Sequence, residues 1–356
     1  MEGFYTKVRN YYPRIREIDF LFSVAVSRLL TQFPHRHTNG KNPLKNNTPF
    51  PMIKTAKGSR SPLNPLINKM SMVKALRLKC PAKVNLRLEI LRRREDGYHE
   101  LRTLMQKISL CDTVSVSLEK GQGISITTDH PDLPLGKRNL VYQAAQMILK
   151  KSEYTGGLHI DIRKHIPLGA GLGGGSSNAA TTLKALNQIL EIGLPAKELM
   201  RMGLGIGADV PFFFLDGAVV ATGIGEGLKK IELPDLWYVL INPNFEVSTR
   251  WAYQNFILTK RHFHFNLQGF VKTPERISRL LWNDLEAVVS HKYPQIEGMK
   301  KMLLSVGALG ALMTGSGPTV FGVFPGKREA EKAFKELEDK VRRRGWIILK
   351  THSLPT

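Results

Sequence analysis

The chain has 356 residues, of which 42% are hydrophobic and 23% charged, so it can bury a core of ordinary size without disulfides or a structural metal. Its formal net charge of +22 raises the question of nucleic-acid binding. Much of that excess lies before residue 73, and the rest of the chain has no basic block with interleaved aromatic residues. We therefore expect no nucleic-acid partner and interpret the basic surface as one that attracts anionic ligands.

The sequence shows no clear membrane-spanning or secretory segment. No stretch reaches the roughly 20 apolar residues that a membrane-spanning helix needs. The two cysteines, Cys80 and Cys111, have neither C-x-x-C nor metal-site spacing, which favours a reducing compartment. We expect a cytoplasmic protein with no membrane partner; import into an organelle, directed by residues 1–72, is the alternative.

Residues 1–72 differ in composition from the remainder. They are rich in Asn, Pro, Lys and Arg, and their apolar periodicity is weak after Leu30, so we predict a disordered extension. It is either a targeting peptide or, as we slightly favour, an extension upstream of the true start, because Met70 and Met72 directly precede the ordered pattern. The ordered part is expected to form two domains, 73–236 and 237–356.

Apolar spacing predicts the elements of the first domain in chain order. They are a strand at 75–90, a β-hairpin of 113–118 and 123–128, a helix at 139–150, a strand at 158–162, helices at 176–192 and 196–204, and a strand at 218–222. The second domain is predicted to contain a strand at 237–241, helices at 276–290 and 296–305, a strand at 319–324, a helix at 328–344 and a strand at 346–349. This order indicates an α+β protein with helices on one face of a mainly antiparallel sheet.

A glycine-rich run between a predicted strand and a predicted helix is the strongest single signal. Five of the seven residues from Gly169 to Gly175 are glycine, which lets the backbone approach a ligand closely. The following helix offers free N–H groups for phosphate. A flexible linker is the alternative. A Walker A loop needs a lysine after its last glycine, but Gly175 is followed by Ser176, so the run is not a Walker A loop. A dinucleotide-binding fold needs a second strand after the helix, but another predicted helix follows Gly193, so that fold is excluded as well.

Three segments together resemble the GHMP kinase superfamily, which includes galactokinase, homoserine kinase and mevalonate kinase. They are Pro81–Leu86, the glycine run from Pro167 to Ser177, and Gly315–Val320. The resemblance implies an N-terminal domain like the second domain of ribosomal protein S5, a ferredoxin-like C-terminal domain, and ATP as co-substrate. It assigns ATP binding to the glycine run, namely Pro167, Leu168, Gly169, Ala170, Gly171, Leu172, Gly173, Gly174, Gly175, Ser176 and Ser177.

Further segments resemble one family within that superfamily, the diphosphocytidyl-methylerythritol kinases. These are Arg94–Glu100, Gly207–Phe213 and Gly223–Glu226. This resemblance covers residues 73–356 and implies transfer of the γ-phosphoryl group of ATP to the 2-hydroxyl of a diphosphocytidyl alcohol, in the non-mevalonate route to isoprenoids. The alternatives are another kinase of the superfamily and, from a different class, a basic RNA-binding protein.

The family resemblance assigns catalysis to Lys83 and Asp209. Phosphoryl transfer needs an oriented alcohol, a place for its proton, and positive charge on the transferred group. Asp209 matches the family's catalytic aspartate, which takes or orients the hydroxyl proton; the alternative is a structural aspartate that ends a helix. Lys83 matches the active-site lysine and lies on a largely apolar strand, where burial would require an anionic partner. A solvent-facing lysine is the alternative.

The same resemblance assigns substrate binding to Asn85, Tyr98, His99, Thr249 and Tyr253. Asn85 shares a strand face with Lys83 and would bind hydroxyls of the substrate. Tyr98 would stack on the cytosine while His99 hydrogen-bonds it, and Tyr253 would be the second aromatic side chain of a sandwich.

Magnesium is expected with ATP, and by analogy with relatives Ser176 is assigned to the metal or to the phosphates. Neither His35 and His37 nor His262 and His264 have the spacing of a metal site. The partners expected are therefore the small-molecule substrate and ATP, with the protein a monomer or weak homodimer.

Overall fold

The computed structural model describes residues 75–258 and 273–355. The predicted extension at 1–72 and the histidine pair at 262 and 264 lie outside them. The strands are β1 Ala75–Arg93, β2 His99–Glu119, β3 Gly123–Thr128, β4 Gly157–Arg163, β5 Ala218–Gly223, β6 Gly227–Ile231, β7 Trp237–Asn242, β8 Trp282–Asn283, β9 Gly310–Met313, β10 Val320–Phe324 and β11 Ile347–His352.

The helices lie mainly between these strands. They are α1 Leu140–Leu149, α2 Gly174–Ile189, α3 Ala196–Leu204, α4 Thr249–Gln254, α5 Pro274–Ser278, α6 Glu286–Lys292, α7 Gln295–Ser305 and α8 Lys327–Arg342, with a 3-10 helix at Pro211–Phe214. Two examples show why they form. Asn139 caps α1 by accepting a hydrogen bond from the N–H of Val141, and the buried residues of α8 recur at helical spacing, at Ala330, Ala333, Leu337 and Val341.

Two sheets organise the molecule. Seven strands form the first, in the order β3-β4-β2-β1-β8, with β5 also pairing with β2 and β6 pairing with β5. The second contains four antiparallel strands in the order β11-β7-β10-β9. The α+β class and the mainly antiparallel pairing expected from the sequence are confirmed; the parallel pairs are β3 with β4 and β1 with β8.

The predicted hairpin of 113–118 and 123–128 is wrong in its pairing. β4 lies between the two strands and pairs antiparallel with β2 and parallel with β3. Gly157 makes this possible because it pairs with both Glu119 and Gly123, and a Cβ there would lie 3.2 Å from the carbonyl oxygen of Lys120. Alternation shows that a segment is extended, whereas the choice of partner depends on contacts distant in sequence.

The predicted helix at 276–290 is also wrong, since α5, β8 and α6 take its place. Tertiary hydrogen bonds outweigh local helical spacing here. The Asn283 side chain donates to the carbonyl oxygens of Met313 and Gly315, and the Asp284 carboxylate accepts from the N–H of Ile90 at 2.7 Å. These bonds attach the segment to both sheets.

Three hydrophobic cores hold the layers together. The first packs α1, α2 and α3 on one face of the larger sheet, and the second packs α7 and α8 on one face of the four-stranded sheet. The third lies between the sheets, where Val84 and Leu86 meet Tyr238 and Phe321. Among the described residues no helix is long and apolar enough to span a membrane. The division into domains 73–236 and 237–356 stays a prediction.

Candidate active site

The glycine run forms a compact loop between β4 and α2. Gly169, Gly171 and Gly173 have φ angles of +57°, +75° and +70°, a region that favours glycine. A Cβ on Gly171 would lie 2.2 Å from the carbonyl oxygen of Thr314. The helix predicted at 176–192 starts two residues earlier, at Gly174, because Gly174 and Gly175 adopt helical geometry.

The N-terminus of α2 is open. Gly173 occupies the N-cap position and, within the described part of the chain, no side chain caps the helix. Free N–H groups at a helix start are a ready binding site for phosphate oxygens. The side chains of Ala170, Leu172 and Ser177 are buried, so these predicted ATP-binding residues would act through their backbone. Ser176 is partly exposed.

The loop is anchored to the sheet at several points. The N–H of Lys83 donates to the carbonyl oxygen of Leu172 at 3.0 Å. Buried Thr314 donates to Gly171 at 3.4 Å and accepts from the N–H of Asn85 at 3.0 Å. The third segment itself reaches the loop, because a Cβ on Gly171 would lie 3.1 Å from the carbonyl oxygen of Gly317. The three segments of the superfamily resemblance, which are far apart in sequence, therefore meet at one place.

Asp112, on β2, binds the chain on both sides of the glycine run. The sequence did not predict this role. Its fully buried carboxylate accepts hydrogen bonds from the N–H groups of His165 and Ile166 at 2.8 and 2.9 Å, from the Asn178 side chain at 3.0 Å, and from the Lys164 ammonium. The sequence feature that could have indicated it is the position of Asp112, an acidic residue on the same strand face as the apolar Val114 and Val116. Asp112 joins the segment after β4 to Asn178 of α2.

Lys83, Asn85 and Asp209 lie together beside the loop. Lys83 is buried, its ammonium donates to the side-chain oxygen of Asn85, and its Nζ is 3.4 Å from a carboxylate oxygen of Asp209. Thr103 fixes the Asn85 amide by accepting its N–H at 2.9 Å. The Asp209 side chain is 40% exposed. One of its carboxylate oxygens faces the buried Lys83 ammonium, and the carboxylate remains accessible to a ligand.

The turn that carries Asp209 precedes the 3-10 helix, and the loop at 223–226 packs against it. A Cβ on Gly225 would lie 3.1 Å from the carbonyl oxygen of Ala208. Glu226 folds back within its own loop and accepts from the N–H of Ile224 at 2.6 Å. The loop therefore shapes the backbone around Asp209 rather than adding a second free carboxylate.

His99 and Tyr253 form an aromatic pair at the edge of this site, with ring centroids 5.4 Å apart and planes at 32°. Burial, and then the positive charge of Arg93, lower the pKa of His99, which favours a neutral ring with one donor and one acceptor nitrogen. Burial raises the pKa of the Tyr253 phenol and the charge of Asp209 raises it further. The aromatic pair is thus electrostatically coupled to the catalytic candidate.

Tyr98 and Thr249 lie farther toward solvent. Tyr98 ends the turn between β1 and β2, where its N–H donates to the Asp96 carboxylate at 3.1 Å, and the residue is 41% exposed. Thr249 begins α4, and its hydroxyl is 2.8 Å from that of Ser316 in the third glycine segment. The predicted stacking of a base on Tyr253 stays a prediction.

Metal ligands are sparse in this region. No group of three His, Cys, Asp or Glu side chains that could hold a metal occurs within 75–258 and 273–355. The histidines at 262 and 264 fall outside the described residues.

Comparison with protein families matches two segments of the chain. Residues 139–217 match the family described as GHMP kinases N terminal domain, and residues 266–343 match GHMP kinases C terminal. A crystal structure of 4-(cytidine 5'-diphospho)-2C-methyl-D-erythritol kinase aligns with a TM-score of 0.68 and 33% identity, over 79% of this chain and 100% of that one. Homoserine kinase from Cytophaga hutchinsonii shares the fold, with a TM-score of 0.63 and 23% identity over 80% of this chain and 96% of its own. The two-domain fold implied by the superfamily resemblance is confirmed.

Relatives of known sequence are closer still. The 4-diphosphocytidyl-2-C-methyl-D-erythritol kinase of Syntrophotalea carbinolica is 48% identical over 267 residues, covering 75% of this chain and 94% of that protein. The kinase of the same name from Geobacter metallireducens is 44% identical over 283 residues, covering 79% of this chain and 100% of its own. The chain belongs to the 4-diphosphocytidyl-2-C-methyl-D-erythritol kinase family of the GHMP kinases.

Proposed function

We propose that the protein transfers the γ-phosphoryl group of ATP to the 2-hydroxyl of 4-diphosphocytidyl-2-C-methyl-D-erythritol, in non-mevalonate isoprenoid biosynthesis. The observation that carries the proposal is the contact between buried Lys83 and half-exposed Asp209 beside the open N-terminus of α2. This arrangement supplies the parts that phosphoryl transfer needs: a phosphate cradle, a cation, and a proton acceptor.

The substrate hydroxyl would be oriented by Asp209 and Asn85. As its oxygen bonds to the γ-phosphorus, the bond from that phosphorus to the bridging oxygen breaks and ADP leaves, while the hydroxyl proton passes to the Asp209 carboxylate. The Lys83 ammonium would stabilise the charge on the transferred group, which is worth most in a site that excludes water. The N–H groups of the glycine loop would hold the ATP phosphates.

Mg²⁺ would accompany the ATP phosphates and neutralise their charge. Ser176, at the start of α2, is the hydroxyl that we assign to the metal or to the phosphates. The open helix start and the sparse carboxylates fit a metal that binds mainly through the nucleotide.

The cytidine end of the substrate would bind at Tyr98, His99 and Tyr253, with Thr249 close to it. A neutral His99 can offer one donor and one acceptor to the polar edge of cytosine. Mevalonate and homoserine have no base to occupy this region, which argues against those substrates.

An ATP-consumption assay tests the proposal directly. We expect turnover with the diphosphocytidyl alcohol and little turnover with mevalonate or homoserine, and the Asp209→Asn protein serves as the inactive control. Equal turnover with mevalonate would contradict the substrate assignment. No turnover with any alcohol, combined with RNA binding in a filter assay, would favour the RNA-binding alternative. The monomer or weak homodimer state and the absence of a nucleic-acid partner remain proposals that light scattering and the same filter assay check.

A further inference from the structure

Two lysines on adjacent strands reach the same short segment after Asp209. Lys83 and Lys107 are directly opposite each other in the antiparallel register of β1 and β2, so both side chains leave the same face of the sheet. Lys83 contacts Asp209 at 3.4 Å. Lys107 donates to the carbonyl oxygen of Phe213 at 3.2 Å and lies 3.6 Å from the Asp216 carboxylate. The segment is thus held at its beginning and near its end.

A third lysine reaches the same carbonyl from α2. Lys184 donates to the Phe213 oxygen at 2.8 Å and lies 5.1 Å from the centre of the Phe214 ring. One peptide oxygen therefore accepts hydrogen bonds from two ammonium groups. One of these groups belongs to Lys107, which is only 5% exposed, so its charge is largely removed from water. Burial, and then the charge of Lys184, lower the pKa of Lys107 to about 8, against the opposing effect of Asp216, while Lys230 on β6 adds to the lowering. Placing two cations here costs free energy.

The Phe213 ring connects this carbonyl to the catalytic groups. A Cβ on Gly173 would lie 2.9 Å from the tip of the Phe213 ring and 3.0 Å from Cγ of Lys83. Gly173, the residue that precedes α2, therefore contacts both the Phe213 ring and the aliphatic part of the Lys83 side chain. A shift of the Phe213 backbone would be transmitted both to the phosphate loop and to the Lys83–Asp209 pair.

We propose that Lys107 and Lys184 are positioning residues for phosphoryl transfer, which hold the Phe213 carbonyl so that Asp209 stays against Lys83 and the Phe213 ring stays against the start of α2. Neither lysine needs to touch a substrate. The inference rests on the proposed function, because it assigns a role to these lysines through Asp209.

The test is a double-mutant cycle in kcat, with Lys107→Met and Lys184→Met made in the wild-type and in the Asp209→Asn protein. We expect each single substitution to lower kcat by roughly 10- to 100-fold, since a misplacement of about 1 Å can cost this much, with little change in KM for the diphosphocytidyl alcohol. In the Asp209→Asn background the same substitutions should lower kcat by less than about 3-fold, because coupled residues are not additive. Lys230→Met is the control, an exposed lysine nearby that should leave kcat unchanged.

Equal losses of kcat in the wild-type and Asp209→Asn backgrounds would show that the lysines act independently of Asp209, through folding alone. A rise in KM with kcat unchanged would show that they act on ligand binding alone. Either result would overturn the inference. If Lys107→Met does not fold, Lys184→Met alone carries the cycle, since it removes one of the two donors and leaves the more buried lysine in place. Failure of the wild type to phosphorylate the diphosphocytidyl alcohol would refute the proposed function separately. A crystal structure of Lys184→Met would then decide the inference: an unmoved 209–216 segment, with Lys83 and Asp209 still in contact, would overturn it.

Discussion

The ring of His99 packs against that of Tyr253, although 154 positions separate them in the sequence, and the phenol of Tyr253 senses the charge of Asp209. In the proposed function, the groups that bind the base would therefore lie within electrostatic range of the carboxylate that takes the proton. Substitutions at this pair should affect substrate selection without disturbing the ATP loop.

We expect His99→Ala to raise KM for the diphosphocytidyl alcohol and to narrow its advantage over a uridine analogue. A site built to pair polar edges rejects a mismatched ligand by far more than an apolar pocket does. The measurement is kcat/KM for both substrates. Tyr98→Ala is the companion variant: its exposed ring should contribute stacking of roughly 1–3 kcal/mol, which any base would share. An unchanged preference in His99→Ala would place the cytosine elsewhere.

Asp209→Asn should bind both ligands and lose most turnover. A general base is typically worth about 10²- to 10⁴-fold in rate, and asparagine keeps the size of the side chain while removing the charge that faces Lys83. Steady-state kcat together with equilibrium ATP binding checks this. The exposed Asp235→Asn is the matched control. A kcat within a few-fold of wild type would remove Asp209 from the catalytic role.

Tyr238→Phe should stabilise the protein. Tyr238 lies fully buried between the two sheets, and its hydroxyl has no hydrogen-bond partner among the residues described. An unsatisfied buried hydroxyl costs about 1–3 kcal/mol, so its removal should raise the free energy of unfolding measured in urea. Tyr154→Phe is the contrasting variant, because its hydroxyl donates to Gly157 at 2.8 Å; that change should destabilise by about 1 kcal/mol. A loss of stability in Tyr238→Phe would contradict the expectation.

Stability should increase with pH through the titration of Lys107. Its pKa is about 8 in the folded protein against an ordinary value of 10.5. Between these values the unfolded chain binds more protons than the folded one, so the free energy of unfolding rises with pH by up to about 1.4 kcal/mol per pH unit from this group. Urea unfolding across this range should show a shallower rise in Lys107→Met, while Lys197→Met, an exposed lysine on α3, should follow the wild type. Parallel curves for wild type and Lys107→Met would contradict the shifted pKa.

Asp112→Asn should destabilise the protein and weaken ATP binding. The substitution leaves the Lys164 ammonium buried without a charged partner and weakens the bonds to the N–H groups of His165 and Ile166. Breaking a buried ion pair from one side typically costs about 3–5 kcal/mol. Asp132→Asn, an exposed aspartate in a neighbouring loop, is the control. Normal ATP affinity in a folded Asp112→Asn protein would show that the carboxylate stabilises the fold without shaping the loop.

By itself the sequence determined the class of fold, the family, and the types of residue at the site. Glycine is needed wherever the chain takes positive φ or passes close to another backbone, so the run from Gly169 to Gly175 predicted a tight loop with a close backbone approach, and the structure shows both. Periodicity likewise identified most helices and strands, because each element must present one apolar face to a core.

Tertiary structure decided which strands pair, where local helical spacing is overruled, and which side chains meet. The insertion of β4 between β2 and β3, and the break of 276–290 around Asn283, depend on partners distant in sequence. The same holds for Asp112 under the loop and for the two lysines on the Phe213 carbonyl. A local pattern records what a residue needs from its immediate neighbours, whereas hydrogen bonds and ion pairs across a fold are specified only once the layers have packed.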